Sequence, residues 1–393
     1  MKFPRGNAVL LLTLCIVELW AVTLATLSKS DKGKKKKKDV NTVLSVHDRN
    51  LVNQELRKKH VIEECDKFSP LEQNVKNFKG PVLGYVTPWN NHGYDVAKMF
   101  GAKFSHISPV WLQAKRKAGG AYVIEGGHDI DKGWMKDVRK SGSVNIVPRI
   151  LFDGWNSADY LALFKDEDSM EDFNSVLVGF IKEKNFQGAV IEIWSQLGGN
   201  LKEQLIHFLT HLADDLHDAK KSLILVIPPG IRADGSDGMF VAEDFKSLVD
   251  AVDYFSLMTY DYSSGGQPGP NSPIEWVEKC VEAISPTNNP NHRGKILLGL
   301  NFYGTHYTIP PTRVDPILGR DLVDTLKKQQ AKITWDPVSE EHIFDYKTAI
   351  GRHLIYYPTP YSIHRRLELA NRLGTGVSIW EIGQGMDFFY DLF

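Results

Sequence analysis

An α/β chain folded as a (β/α)8 TIM barrel, with a small insertion between strands seven and eight, is the architecture this sequence predicts. Three observations carry the prediction. Short β-branched runs alternate with segments of helical periodicity, which is the pattern of a parallel sheet covered by helices. There are eight such runs, and 393 residues suffice for one large barrel domain. No Gly-x-Gly-x-x-Gly follows the first run, so a doubly wound nucleotide-binding sheet lacks its marker.

Residues 1–27 carry Lys2 and Arg5, then an apolar core from Ala8 to Ile16, then small residues at Ala21 and Ala25. That order is a secretory signal peptide. Glu18 interrupts the apolar run, against a spanning helix, and no stable membrane span is expected after cleavage. Residues 28–79 form a lysine-rich leader and N-terminal extension. Lys29, Lys32 and Lys34 to Lys38 lack apolar periodicity, which leaves a solvated tail or an electrostatic handle for an anionic partner. Leu51, Leu56, Val61 and Ile62 add a packing helix.

The barrel occupies 80–393. Its expected strands are Val82–Val86, Phe104–Val110, Asn145–Ile150, Ala189–Trp194, Leu223–Ile227, Tyr254–Met258, Ile296–Asn301 and Gly376–Trp380. The connection from Gly304 to about Arg352 is the insertion, with a helix at Asp321–Gln330. The net charge of −1 excludes a nucleic-acid footprint over the whole chain. Once Cys15 leaves with the signal, Cys65 and Cys280 permit one bridge or two buried thiols. His92, His106, His128 and His292 are scattered, so no metal or other cofactor is expected. No Asn-x-Ser/Thr sequon occurs.

Five of the nine tryptophans, Trp89, Trp111, Trp155, Trp194 and Trp380, lie at or beyond the C-terminal ends of predicted strands. In a barrel those ends form the functional face, and flat rings with a polar edge suit the apolar faces of sugars. Tyr85, Tyr260, Asp261 and Tyr303 would supply polar contacts there, with Arg149 and Asp153 as weaker candidates. All nine of these aromatic and acidic residues, Arg149 and Asp153 apart, make up the expected saccharide site.

The run Phe186-Gln187-Gly188-Ala189-Val190-Ile191-Glu192-Ile193-Trp194 resembles the fourth-strand signature of glycoside hydrolase family 18. Met258-Thr259-Tyr260-Asp261, Leu298 to Gly304 and Gly376 to Trp380 resemble that family's sixth, seventh and eighth strand motifs. In the signature Gln187, Val190 and Glu192 stand for three aspartates, and Trp194 stands for the glutamic acid that protonates the leaving oxygen. The family is substrate-assisted: the sugar's acetamido oxygen attacks, and the enzyme donates a proton. An indole N–H cannot do so. The resemblance therefore implies a catalytically inactive, chitinase-like saccharide-binding protein, similar to the family's secreted or lysosomal lectins. Its ligand would be an N-acetylglucosamine-type oligosaccharide or a glycolipid such as lipopolysaccharide, with an innate-immune or inflammatory role. Two alternatives stand beside it: a scaffold recognised by a sorting receptor, and a weak glycosidase with Asp261 or Glu192 as a non-standard acid. Strand alternation would put Glu192 on the same side as Trp194, one layer deeper, as a buried carboxylate paired with a Tyr or Arg.

Overall fold

The computed structural model describes residues 42–263, 266–287 and 289–393. The expected signal peptide and the run Lys29 to Lys38 lie outside the described residues. Among the described residues, no helix is long and apolar enough to cross a membrane.

The elements follow in chain order. A short helix α1 (Lys58–Glu64) buries Val61 and precedes β1 (Val82–Val86), α2 (Asn91–Met99) and β2 (His106–Pro109). Next come an antiparallel hairpin, β3 (Leu112–Arg116) and β4 (Tyr122–Glu125), then α3 (Lys132–Lys140), β5 (Asn145–Ile146) and β6 (Arg149–Leu151). Helices α4 (Ser157–Leu163) and α5 (Glu167–Glu183) lead to β7 (Gly188–Glu192), α6 (Lys202–Asp218), β8 (Ser222–Ile227), α7 (Ala242–Leu248) and β9 (Tyr254–Leu257). Helices α8 (Ile274–Ile284) and α9 (Pro290–Arg293) precede β10 (Ile296–Asn301). The insertion carries β11 (Gly304–Ile309), β12 (Arg313–Ile317), α10 (Gly319–Lys328), β13 (Lys332–Asp336), β14 (Glu341–Thr348) and β15 (Gly351–Tyr357). Helix α11 (Pro360–Leu373) and β16 (Gly376–Trp380) complete the main sheet.

That sheet has eleven strands in the order β4-β3-β6-β7-β8-β9-β10-β16-β1-β2-β5, parallel except for the hairpin. It is curled and TIM-barrel-like, but its ladders form an open order rather than the expected closed eight-stranded ring. The departure sits at the third predicted strand, which is split at Val147-Pro148. Proline has no N–H for a ladder, so pairing breaks there. On one side β5 pairs with β2; on the other, β6 pairs with β7.

Side-chain alternation sorts each strand between two cores. Val82 and Val86 of β1 join the layer under the helices, whereas Leu83 and Tyr85 face the inside of the curl. Strand β7 sends Ala189 and Ile191 outward and Val190 inward; β8 sends Leu223, Leu225 and Ile227 outward and Ile224 and Val226 inward. Burial on both faces is what a covered parallel sheet requires. Extending the alternation, Glu192, Arg149, Met258 and Trp380 belong to the inward set at the C-terminal mouth of the curl.

The insertion is larger than the single helix expected within it. Besides α10 it holds a five-stranded antiparallel sheet, β12-β11-β15-β14-β13. It is fastened to the loop between β9 and α8 through Glu341, whose carboxylate accepts from the backbone N–H groups of Asn271 (3.0 Å) and Ser272 (2.6 Å) and lies 3.4 Å from Arg366 of α11. Burial pushes the Glu341 carboxyl above its ordinary range, which the guanidinium and the two N–H donors oppose. Cys65 and Cys280 are both free and buried, so the bridge left open by the sequence is not formed.

Candidate active site

The inward residues at the strand ends form a polar cluster around aromatic rings. Glu192, the last residue of β7, is ion-paired with Arg149 of β6 at 3.1 Å, and its side chain remains 23% exposed. The Arg149 guanidinium lies over the Trp380 ring, 5.5 Å from its centroid, and Tyr85 packs against the same ring at 5.2 Å. The Tyr85 hydroxyl donates to Ser256 Oγ at 2.9 Å. Arg149 Nε, also buried, has no partner among the described residues.

Tyr260 connects this cluster to a second one. Burial first, and then the neighbouring Tyr85, Asp261 and Glu192, raise its hydroxyl well above its ordinary range, with Arg149 opposing. Its ring stands edge-on to Tyr303, 6.3 Å away, and the Tyr303 hydroxyl donates to Asp261 Oδ1. Tyr260 can lie over β10 only because residue 299 is glycine: a Cβ there would fall 3.0 Å from Tyr260 Cε1 and 2.3 Å from Leu257 O.

Asp261 is held in a conformation that L-residues rarely adopt, with φ at 62°. Its N–H donates to Asn271 Oδ1 at 2.9 Å, in the segment that Glu341 anchors. Removal from water raises the Asp261 carboxyl above its ordinary range, although the Tyr303 hydroxyl pulls the other way. A strained backbone bearing a carboxyl biased toward its protonated form is a pattern met at functional sites.

The predicted site residues thus divide. Tyr85, Tyr260, Asp261, Tyr303 and Trp380 come together at the mouth, joined by Arg149 and Glu192. Trp89, on the loop after β1, is 60% exposed. Its replacement by Ala is expected to change the unfolding free energy by less than about 0.5 kcal/mol, as read from a denaturant midpoint. Asp153 is exposed and pairs with Lys115 at 2.5 Å, away from the cluster's contacts.

Of the other three tryptophans, Trp111 and Trp194 are packed into the layer between sheet and helices, which corrects their expected role, and Trp155 packs half-buried against that layer. Trp111 is 1% exposed, donates its Nε1–H to the Tyr94 hydroxyl at 2.6 Å and packs edge-on to Trp134. Trp155 stacks on Tyr122 with an interplanar angle of 9° and donates to Ala114 O. Trp194 is 1% exposed, donates to Met239 O at 3.1 Å and packs edge-on to Phe240. The enclosed rings of Trp111 and Trp194 offer no face to a sugar, whereas Trp155 is half-buried.

Trp194 also leaves the position that the strand pattern gives it. Strand β7 ends at Glu192; Ile193 turns with ψ at −32°, and residues 194–197 form a 3-10 turn. Period-two alternation no longer applies beyond the strand, so Trp194 is not above Glu192 on the same side. The pairing of Glu192 with an arginine holds, but its depth does not: Glu192 is itself the mouth-facing end of the strand. Sequence reasoning set aside Glu192 and overlooked Asn271, whose link to Asp261 has no motif to announce it.

Known proteins agree with this fold. A 27% identical stretch of 189 residues, 46% of this chain and 43% of the relative, is shared with the cortical fragment-lytic enzyme of Bacillus subtilis. The chain thus spans less than half the length of that curated relative. Among solved structures, a chitinase from Chromobacterium violaceum superposes with a TM-score of 0.68 at 20% identity, over 80% of this chain and 98% of that one. The spore cortex-lytic enzyme SleL of Bacillus megaterium superposes at 0.65 and 20% identity, over 80% and 74%. At such identities the superpositions speak to the fold alone.

These findings overturn the expectation of a catalytically silent lectin. The named relatives are lytic enzymes and chitinases rather than lysosomal lectins, and the lipopolysaccharide and immune roles attached to that expectation fall with it. The family model for glycosyl hydrolases family 18 matches residues 82–385, from the first strand through the loop beyond Trp380. With the strand-end cluster inside that span, the chain belongs to glycosyl hydrolases family 18.

Proposed function

We propose that this protein is a glycosidase acting on glycans of N-acetylated amino sugars, with Asp261 as the proton donor. The observation that carries the reading is the convergence, around Tyr260, of an ion-paired Glu192, a strained Asp261 biased toward its neutral form, and the Trp380 platform. Trp380 would receive the apolar face of one sugar ring. The acetamido oxygen of that sugar attacks its own anomeric carbon, the glycosidic C–O bond breaks, and the leaving oxygen takes the Asp261 proton. Water then opens the cyclic intermediate and returns a proton to Asp261. Tyr260, Tyr303 and the Glu192–Arg149 pair orient the acetamido group.

The same reading takes the curled sheet as a (β/α)8 barrel, supported by the pairing of the split third strand on both its sides. Export of the chain is proposed from the apolar segment 8–16 and the small residues after it. The choice of sugar is supported by the names of the chitinases and cortical fragment-lytic enzymes that the chain resembles.

The test is incubation with N-acetylglucosamine oligomers of increasing length from acidic to neutral pH, with product analysis. New reducing ends, formed faster on longer oligomers, are expected. Intact oligomers at every length and pH would overturn the proposal.

A further inference from the structure

Residues 42–79 precede the family's span, yet they are built into the same core, where Val46, Leu51, Leu56, Val61 and Phe68 are buried. Arg49 ties this extension to the segment that follows the span, reaching Glu64 and Asp391 at 3.0 Å each, and the Ser69 N–H donates to Asp391 at 3.2 Å. The extension also reaches the insertion. Lys58 Nζ donates to Gln329 O at 2.9 Å, just past α10. Gln54, flanked by the buried Leu51 and Leu56, presents its carbonyl to His342 Nε2 at 3.0 Å.

His342 lies in β14 and is fully buried. A carbonyl only accepts, so Nε2 carries the ring hydrogen and leaves Nδ1 to accept from the Thr359 hydroxyl, 2.8 Å away. Thr359 is the N-cap of α11, whose Arg366 donates to Glu340 O at 2.9 Å and to Ser339 O at 3.2 Å, at the entry to β14. One imidazole thus joins the extension, a strand and a helix cap. Glu341 and His342 are consecutive, so alternation sends them to opposite faces of β14, His342 toward Gln54 and Glu341 toward Asn271 and Ser272. Asn271 in turn receives the Asp261 N–H.

We propose that His342 is a positioning residue through which the N-terminal extension holds the Glu341 anchor, and with it the strained Asp261 turn. A segment outside the family's span thereby shapes the candidate active site. The consequence for catalysis rests on the proposed function; the brace itself does not.

Two substitutions separate the two ring nitrogens. In His342→Asn the amide stands near the place of Nδ1 and can still accept from Thr359, but it falls short of Gln54 O. In His342→Gln the longer amide stands near the place of Nε2 and can donate to Gln54 O, but it leaves Thr359. Amide hydrogen exchange of the full chain is read at Asp261, Asn271 and Ser272, whose N–H groups make the bonds in question, with the amides of β10 as the check that each variant is folded. His342→Asn should speed exchange at the three amides about tenfold, as the loss of one hydrogen bond would, and His342→Gln should hold it near the wild-type rate. Leu56→Ala, which loosens the extension beside Gln54 without altering His342, should speed the same three ahead of β10. On an N-acetylglucosamine oligomer, kcat should fall about tenfold in His342→Asn and recover in His342→Gln, with KM level in both, because what is lost is the placement of the proton donor.

A residue that served only the α11 cap would give the reverse order, with His342→Gln the damaging change. That reverse order, equal acceleration in both variants, or wild-type exchange in His342→Asn or Leu56→Ala would overturn the brace. Accelerated exchange in His342→Asn with kcat unchanged would uphold the brace and contradict the proposed role of Asp261.

Discussion

Replacing Asp261 with Asn is expected to lower kcat on N-acetylated oligosaccharides by about 10²- to 10⁴-fold, the usual worth of a positioned general acid. The amide keeps the size of the side chain and can still accept from the Tyr303 hydroxyl, so the fold and the strained turn should persist. KM should change little, because the lost interaction belongs to the transition state. The wild-type pH profile supplies an independent reading. Burial raises the Asp261 carboxyl, so the active neutral form should extend to higher pH than a solvated aspartic acid allows, and activity should decline as pH rises beyond it. Equal rates for the wild type and Asp261→Asn would remove Asp261 from the reaction.

Trp194→Ala is expected to cost about 3–5 kcal/mol of stability, the range for deleting a buried tryptophan. The ring is enclosed by Phe240 and the outer layer of the sheet, and its loss also leaves Met239 O without its donor. Urea unfolding monitored by circular dichroism measures the loss. Under conditions where the variant is folded, its oligosaccharide affinity should match the wild type. Weakened affinity with unchanged stability would place the indole back in the cleft.

Much of the architecture is legible in the sequence because parallel strands buried on both faces are written as unbroken apolar runs. Val82–Val86, Ile296–Asn301 and Gly376–Trp380 fall where expected to the residue. The hairpin β3–β4 escapes that reading, because Lys115, Arg116 and Lys117 give it a solvated face. The insertion strands also escape it. Their period-two pattern, as in Phe344-Asp345-Tyr346 and His353-Leu354-Ile355, is short and interrupted by charges.

The site was legible where strand position alone decides direction. Tyr85 and Trp380 sit within strands, and alternation aims them inward. Trp111, Trp155 and Trp194 lie past strand ends, where a turn decides direction and the sequence pattern carries no phase. Trp194 reads as a substituted catalyst because it stands at the acid's place in the fourth-strand signature, whereas its contacts are those of a core residue. The contribution of Asn271 depends on Glu341, 70 residues away in the insertion. Only the folded chain brings them together.

The central claim is that the residues around Tyr260, and not Trp194, make this cleft a substrate-assisted glycosidase. Proton NMR of the first products from an N-acetylglucosamine oligomer, run in parallel on wild type and Asp261→Asn, tests it most directly. Attack by the acetamido oxygen followed by water inverts the anomeric centre twice, so the wild type should release a product of retained configuration, and Asp261→Asn should release almost none. Inverted product, or cleavage indifferent to Asp261, would contradict the account.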